Sequence, residues 1–431
     1  MTFKKADARI GFVAMATLVA LTSPVAAQPA QQAALAPQTA AALCLDDSEK
    51  NPARTLMACD AALASGKLSA REQAHALMRR AGAHDFAGER LRATVDRQEA
   101  VRLLDGVIRN SKNDSAALLA RGKANNALGD VESALADYDE TIRLDVTNAV
   151  ALVDRAALLT ARKGEVRKAI ADLDRALSLS PKNTDALIGR ADAYAMLGEY
   201  GRSLSDLDLA LSLAPRDARA HVMHGVTNAR IGNVQKAYAD YSIALSFDPR
   251  NTEALVNRSA ISASNGDTEQ AIRDLDAALT IAPGNALAFY NRGYARFARQ
   301  EYEKAIADYS VALSIEPKLG WAYLNRCLTR VIVGQDSVAA LNDCEEALKL
   351  LPGNPEVRET RGFVYLKLGD AALAFREYDD ALRTNANRPM ALYGRGLARV
   401  RNGDQKGEED KHAARALTPD IARAFVPYGL N

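Results

Sequence analysis

The side chains in this chain with the most chemical potential are five histidines and four cysteines. His221 and His224 are three residues apart, so one helix could present both to a metal ion. However, no carboxylate or third histidine is placed to complete that site. The sequence also lacks a Gly-x-Ser-x-Gly nucleophile motif, a phosphate-binding Gly-Lys-Ser/Thr loop and a dinucleotide fingerprint. We therefore expect a protein that is not an enzyme and that uses no metal and no cofactor.

A recurring arginine sets the period of the chain. After a first interval of 41 residues, the markers follow one another at steps of 34 or 35. They are Arg80, Arg121, Arg155, Arg190, Arg258, Arg292, Arg326, Arg361 and Arg395, with His224 in the fifth place. A fixed period near 34 is typical of architectures in which one small unit is stacked repeatedly.

Each copy has the pattern of a helical hairpin. Apolar residues return at steps of three and four, a glycine such as Gly198 or Gly232 interrupts them midway, and a proline such as Pro317 follows the second run. Glycine suits the end of a first helix, and proline prevents the second from continuing. Because two helices alone cannot bury their apolar faces, we predict an all-α solenoid of about ten stacked helix-turn-helix units.

Three motifs carry a resemblance to the tetratricopeptide repeat family over about residues 70–418. They are a glycine after the marker (Gly122, Gly225, Gly293), a second-helix alanine with tyrosine four residues later (Ala134 and Tyr138, Ala237 and Tyr241, Ala305 and Tyr309), and the terminal proline. The resemblance implies a right-handed superhelical solenoid that binds protein partners. The first, ninth and tenth copies depart from the pattern, and departures are expected in the two terminal copies because each caps an open end.

An acidic residue accompanies nearly every marker arginine. It stands sixteen or so residues later, where the second helix passes opposite the first. We predict structural ion pairs, among them Arg258 with Asp274 and Arg292 with Asp308, because a half-buried guanidinium is costly without a carboxylate. The alternative is a ladder of arginines that binds an anionic ligand.

The four cysteines can pair in three ways. Cys327 and Cys344 occupy positions that face each other across one hairpin, so we predict a disulfide between them. Cys44 and Cys59 would then join the leader to the first helix. The alternative is four buried thiols. None of the spacings matches a Cys-x-x-Cys redox or zinc motif.

In the tetratricopeptide family the inner face is lined by particular first-helix positions. The resemblance therefore implies a partner-binding groove in the C-terminal half, formed by Tyr290, Tyr294, Phe297, Trp321, Leu324, Leu328, Phe363 and Tyr393. Clustered aromatic side chains are typical of interaction sites. The alternative is that the register is one residue off and these side chains pack between copies. The lysines of a carboxylate clamp are missing.

The remaining segments are assigned from composition. Lys4, Lys5 and Arg9 precede a short apolar run and a small-residue site, which is the order of a signal peptide over residues 1–27. We expect a flexible leader over 28–50, an N-terminal helix over 51–68, repeats over 69–418 and a C-terminal cap over 419–431. The protein is thus predicted to be secreted or periplasmic, without membrane insertion after cleavage.

The charge balance excludes broad electrostatic binding. Lys and Arg number 55 against 54 Asp and Glu, so binding to nucleic acid is not expected. We predict a non-enzymatic scaffold or adaptor of the cell envelope that holds a peptide or helix of a partner protein. The alternative function is binding of cell-wall polysaccharide by the same aromatic side chains.

Overall fold

The computed structural model describes residues 37–49, 51–162, 164–334, 337–426 and 429–430. The expected signal peptide, residues 1–27, lies outside them. The described residues form 22 α-helices and one 3-10 helix, with no strand among them. The chain divides after Phe247 into two compact units, here called the N-terminal unit and the C-terminal unit. The prediction of an all-α repeat fold is confirmed within each unit.

The N-terminal unit consists of one short hairpin followed by five repeat hairpins. Its helices are α1 (Pro37–Leu45), α2 (Pro52–Ala64), α3 (Ala70–Phe86), α4 (Arg90–Asn110), α5 (Ser115–Leu128), α6 (Val131–Leu144), α7 (Ala149–Ala161), α8 (Val166–Leu179), α9 (Thr184–Met196), α10 (Tyr200–Leu213), α11 (Ala218–Arg230) and α12 (Val234–Phe247). Consecutive helices from α3 onward pair as the first and second helix of a repeat.

The C-terminal unit contains the other five repeat hairpins. Its helices are α13 (Thr252–Ser264), α14 (Thr268–Ile281), α15 (Ala286–Ala298), α16 (Tyr302–Ile315), α17 (Gly320–Ile332), α18 (Ser337–Leu350), α19 (Pro355–Leu368), α20 (Ala371–Thr384), α21 (Pro389–Arg401) and α22 (Lys406–Leu417). A 3-10 helix, Ile421–Ala424, follows α22. In the described residues of both units, no helix is long and apolar enough to cross a membrane.

The leader expected to be flexible is helical where the structure describes it. Helix α1 covers Pro37–Leu45, and Cys44 is fully buried. A disulfide joins Cys44 to Cys59 of α2 with a Cα–Cα distance of 4.7 Å. The expectation of a flexible leader is therefore wrong for residues 37–45, because the cross-link holds this alanine-rich stretch against α2. Residues 28–36 lie outside the described residues.

Each hairpin closes on a pair of side chains whose sizes are matched. In α15–α16, Tyr309 is fully buried against Gly293, where an added Cβ would lie 2.7 Å from the ring. The same two positions in α7–α8 hold Ala156 and Leu173, which lie in one apolar cluster. A larger side chain on the second helix thus goes with a smaller one on the first, as close packing requires.

The second disulfide takes the place of such a pair. Cys327 and Cys344 occupy these positions in α17–α18 and are bonded, with a Cα–Cα distance of 5.6 Å. Both sulfurs are buried, and no described cysteine is free. The predicted pairing is confirmed, and the bond closes this hairpin where a tyrosine or leucine closes others.

Candidate functional site

The marker arginine of each hairpin is held by a carboxylate on the second helix. Arg292 of α15 donates from Nε and Nη2 to both oxygens of Asp308 on α16, at 3.0 and 2.7 Å. Asp308 is only 3% exposed. A bidentate bond of this kind is among the strongest polar contacts available to a buried carboxylate. We call this arrangement the arginine clamp.

The clamp recurs through both units. The bidentate pairs are Arg80–Asp96, Arg121–Asp137, Arg155–Asp172, Arg190–Asp206, Arg258–Asp274, Arg292–Asp308, Arg326–Asp343 and Arg395–Asp410. Arg361 instead makes a single 2.5 Å bond to Glu377. The ion pairs expected from the sequence are thus present in the structure.

A second carboxylate, which the sequence analysis missed, approaches most clamps from the preceding hairpin. Arg292 also donates from Nη1 to Asp276 of α14, at 2.6 Å. The corresponding acids are Asp60, Asp105, Asp139, Asp174 and Asp379. Most of them could have been found in the sequence, because an aspartate follows the clamp acid by two residues, as Asp139 follows Asp137.

Two carboxylates per guanidinium decide the role of the arginines. The hydrogen bond to Asp137 is the largest cause that raises the pKa of Arg121 above its usual range, with burial opposing it. Because the positive charge is already balanced on both sides, these arginines are poor receptors for an added anion. The geometry favours the structural role over an anion-binding ladder.

His224 takes the place of the marker arginine in α11–α12. Its Nδ1 lies 2.8 Å from Asp240 Oδ2, and its Nε2 lies 3.5 Å from Asp208. The hydrogen bond with Asp240 raises the pKa of His224, with burial opposing it. His221 bonds to the Pro215 carbonyl at 3.0 Å. Nowhere in the described residues do three His, Cys, Asp or Glu side chains form a group that could hold a metal.

The first helices of the C-terminal unit form a continuous row. Helices α13, α15, α17, α19 and α21 each contact the next one in this order. Tyr294 on α15 and Trp321 on α17 are 46% and 39% exposed. Two large aromatic side chains are thus exposed on neighbouring first helices, and apolar side chains grouped in this way are typical of interaction sites.

Three further residues of the predicted groove lie half-buried beside these two. Tyr290 accepts a 3.3 Å hydrogen bond from Asn325 Nδ2, which ties α15 to α17. Phe297 packs edge-on to Tyr302, with ring centroids 5.5 Å apart, and Leu328 packs at the margin of the apolar core. We call Tyr290, Tyr294, Phe297, Trp321 and Leu328 the aromatic surface.

The other three predicted groove residues belong to the core. Leu324 is buried with Ala347 and Val357, between neighbouring hairpins. Phe363 and Tyr393 are buried because Phe425, from the segment after α22, packs on both rings. The groove prediction is therefore wrong for Leu324, Phe363 and Tyr393. Leu324 instead follows the alternative stated above, because it packs between copies.

One carboxylate lies near the aromatic surface. Burial raises the pKa of Tyr290, the hydrogen bond from Asn325 opposes this shift, and the nearby carboxylate of Glu356 adds to it. Burial also raises the pKa of Glu356, which lies half-buried near the start of α19. A ligand that covered this region would therefore meet apolar rings beside a carboxylate that is poorly hydrated.

The first helices of the N-terminal unit carry charges that pair with one another. Lys123 lies 3.5 Å from Asp154, and Arg219 bonds to Asp185 at 2.7 Å and to Asp217 at 2.8 Å. Burial raises the pKa of Asp154. This row presents paired charges where the C-terminal unit presents aromatic rings.

Comparison with known families and structures finds tetratricopeptide repeat proteins. The tetratricopeptide repeat model matches residues 87–149, 155–218, 263–319 and 360–424, more than half of the chain. A tetratricopeptide repeat protein from Parabacteroides merdae is 23% identical, with 60% of this chain and 99% of that one covered, at a TM-score of 0.44. No curated protein sequence matches the chain.

Two further solved structures are similar at the same level. YrrB, described as a tetratricopeptide repeat protein with an unusual peptide-binding site, is 24% identical over 43% of this chain and 95% of its own, at a TM-score of 0.34. Pseudomonas aeruginosa pilF is 19% identical over 48% of this chain and 94% of its own, at a TM-score of 0.44.

Proposed function

The chain belongs to the tetratricopeptide repeat family, and from that premise we propose that it is a non-enzymatic scaffold of the cell envelope. In this proposal the aromatic surface binds a peptide or helix of a partner protein. The single observation that carries it is the exposure of Tyr294 and Trp321 on adjacent first helices. Proteins of this family generally act by binding other proteins, and stacked repeats provide extended surfaces for that purpose.

Physical chemistry supports this use of the aromatic surface. Aromatic side chains supply much of the binding energy of protein interfaces, because they bury a large area at little cost in conformational entropy. Tyr290 is already fixed by its hydrogen bond to Asn325. A partner that covered Tyr294 and Trp321 would thus dock on rings that the scaffold holds in place.

The proposed location in the envelope has two supports. The first 27 residues have the order of a signal peptide. All four cysteines lie in two disulfides, which persist in oxidising compartments and are rare in the reducing cytosol. The proposal of a secreted or periplasmic protein agrees with both features.

A site-specific crosslinking experiment tests the proposed function. A photo-crosslinking residue at position 294 is expected to capture a defined protein partner in the native envelope, identified by mass spectrometry. The same residue at Phe86, which is exposed in the N-terminal unit, serves as the matched control. With the purified partner, Trp321→Ala is expected to cost about 2 kcal/mol of binding, or roughly thirtyfold in Kd.

Two outcomes would contradict this function. One is equal crosslinking at positions 294 and 86. The other is unchanged affinity after Trp321→Ala with unchanged helical content by circular dichroism. Retention of the purified chain on protein-free insoluble wall material, lost in the Tyr294→Ala variant, would favour the polysaccharide-binding alternative.

A further inference from the structure

The segment after the last hairpin folds back onto the first helices of the C-terminal unit. Among the residues of this segment that the structure describes, Ile421, Phe425 and Leu430 are buried, at 6%, 0% and 2% exposed. All three belong to the apolar cluster that contains Phe363 and Tyr393. The 3-10 helix Ile421–Ala424 contacts α21 and α22.

Phe425 is the anchor of this segment. Its ring centroid lies 6.0 Å from that of Phe363 on α19 and 5.0 Å from that of Tyr393 on α21. Tilted ring pairs at these distances are favourable beyond the area that they bury. One aromatic side chain therefore bridges the first helices of two consecutive hairpins.

The rings that receive Phe425 are the repeat equivalents of the aromatic surface. Phe363 stands two residues after its marker arginine, as Tyr294 does in α15. Tyr393 stands two residues before its marker, as Tyr290 does. At α19 and α21 these positions are thus covered by the chain itself, whereas at α15 Tyr294 is 46% exposed and Tyr290 is half-buried.

The segment is held by side chains and not by a backbone ladder. The backbone hydrogen bonds from Ile421, Arg423, Phe425, Gly429 and Leu430 all end on oxygens within residues 418–426. Arg423 likewise bonds to Asp420 of the same segment at 3.4 Å. A short folded segment that inserts apolar anchors into another surface has the contact pattern of a bound peptide.

We propose that the segment after α22 is an intramolecular ligand of the first-helix row through Ile421, Phe425 and Leu430, and that the partner segment bound at the aromatic surface has the same chemistry. That chemistry is a short apolar segment whose anchors are spaced about four residues apart, with an aromatic side chain among them. The second half of this proposal rests on the proposed function.

The experiment uses the full-length chain and a fluorescent synthetic peptide of residues 419–431. Three proteins are compared by fluorescence anisotropy: the wild type, Phe425→Ala and Val426→Ala. Val426 is the matched control, because it is 53% exposed and adjacent to the anchor. The Phe425→Ala chain is expected to bind the added peptide at least tenfold more tightly than the other two, because its own segment no longer fills the site.

A second comparison addresses the aromatic surface. The wild-type chain is expected to bind the peptide weakly. A Tyr294→Ala, Trp321→Ala chain is expected to have an affinity for the peptide that is lower by at least fivefold. A peptide carrying Phe425→Ala should bind no protein in the series. If Phe425→Ala lowers the helical content of the chain, Phe425→Leu replaces it, since leucine keeps the fold and weakens the ring contacts.

The outcomes separate the two halves of the inference. A folded Phe425→Ala or Phe425→Leu chain that binds the peptide no better than the wild type overturns the intramolecular ligand. If the Tyr294→Ala, Trp321→Ala chain binds the peptide as tightly as the wild type does, the shared chemistry is overturned. Neither result depends on crosslinking at position 294, so the proposed function stands or fails independently.

Discussion

The N-terminal and C-terminal units are built from the same hairpin but present different side chains on their first helices. Both units contain arginine clamps with the same bidentate geometry. In the N-terminal unit the first helices carry charges that neutralise one another, such as Asp185 with Arg219. In the C-terminal unit they carry exposed aromatic rings at Tyr294 and Trp321.

This difference shows that stability and recognition use separate positions of one repeat. The positions of the arginine clamp keep the same chemistry in nearly every copy, because each copy must hold its two helices together in the same way. The first-helix positions that face away from the clamp are free to vary. A function of this scaffold is therefore to be sought in the copies whose free positions are apolar, α15 and α17.

The strongest test of the shared scaffold removes one clamp carboxylate in each unit. Asp137→Ala leaves the guanidinium of Arg121 without its principal partner, and Asp308→Ala does the same for Arg292 and its neighbour Arg296. We expect each to lower the free energy of unfolding by about 3–5 kcal/mol, measured by urea denaturation. A large difference between the two units would break the equivalence of their clamps.

Exposed acids of the same clamps provide the control. Asp105 and Asp276 approach Arg121 and Arg292 from the preceding hairpin but remain 46% and 53% exposed. Their replacement by alanine is expected to cost less than about 1 kcal/mol. The double change Arg121→Met, Asp137→Leu should recover much of the stability lost in Asp137→Ala, because it removes both charges together.

Loss of the disulfide in α17–α18 is the next largest expected effect, and it is confined to the C-terminal unit. The bond closes a loop with a sequence separation of 17 residues. Replacing it by the pair found in α7–α8, as Cys327→Ala with Cys344→Leu, should preserve the packing. It should lower the free energy of unfolding by about 3 kcal/mol, because the unfolded chain gains conformational entropy when the cross-link is absent. Thermal unfolding of the two proteins measures this, and an unchanged Tm would contradict it.

Matched packing predicts a smaller and reversible effect. Gly293→Ala places a methyl group 2.7 Å from the Tyr309 ring, so we expect a loss of about 1–3 kcal/mol. Adding Tyr309→Leu recreates the combination found as Ala156 and Leu173 and should restore most of that stability. If the double variant is less stable than Gly293→Ala alone, the pairs are not interchangeable between units.

The smallest expected effect distinguishes the units by pH. The pKa of His224 is raised above its ordinary 6.5 mainly by its hydrogen bond with Asp240; Asp208 adds to the shift, and Lys236 opposes it. Protonated His224 therefore contributes its full stabilisation of the folded state below about pH 6.5. This contribution is lost as pH rises through the folded pKa. Each unit of pKa difference corresponds to about 1.4 kcal/mol.

Urea denaturation on both sides of that window checks this expectation. The N-terminal unit of the wild type should lose stability as pH rises, and His224→Arg should remove the dependence, because arginine stays charged. His412→Arg, at an exposed position, is the control. A pH dependence that persists in His224→Arg would assign it to other groups.

Much of the fold follows from the sequence, because the features that determine it recur. The period of the marker arginine and the glycine and proline positions predicted the hairpins, and the opposition of Cys327 and Cys344 predicted their bond. The second clamp acid was missed, since it acts across hairpins, where the alignment of one copy with itself gives no contact. The helix over residues 37–45 was missed because only its disulfide indicates that it packs.

The groove was predictable only in part. On α15 Tyr294 is exposed and Tyr290 is half-buried, whereas Phe363 and Tyr393, at the equivalent repeat positions, are covered by Phe425. Repeat position reports which way a residue points from its own hairpin. Whether another segment then covers it depends on a chain reversal after α22 that no period encodes.

The arginine clamp also bears on how such a chain changes length. Its buried carboxylate lies in the same hairpin as the guanidinium, whereas the carboxylate from the neighbouring hairpin is largely exposed. Duplicating or deleting one block of 34 residues would thus carry each interior charge together with its counter-ion. Unequal recombination within the gene could lengthen or shorten the array without leaving a lone ion inside the product.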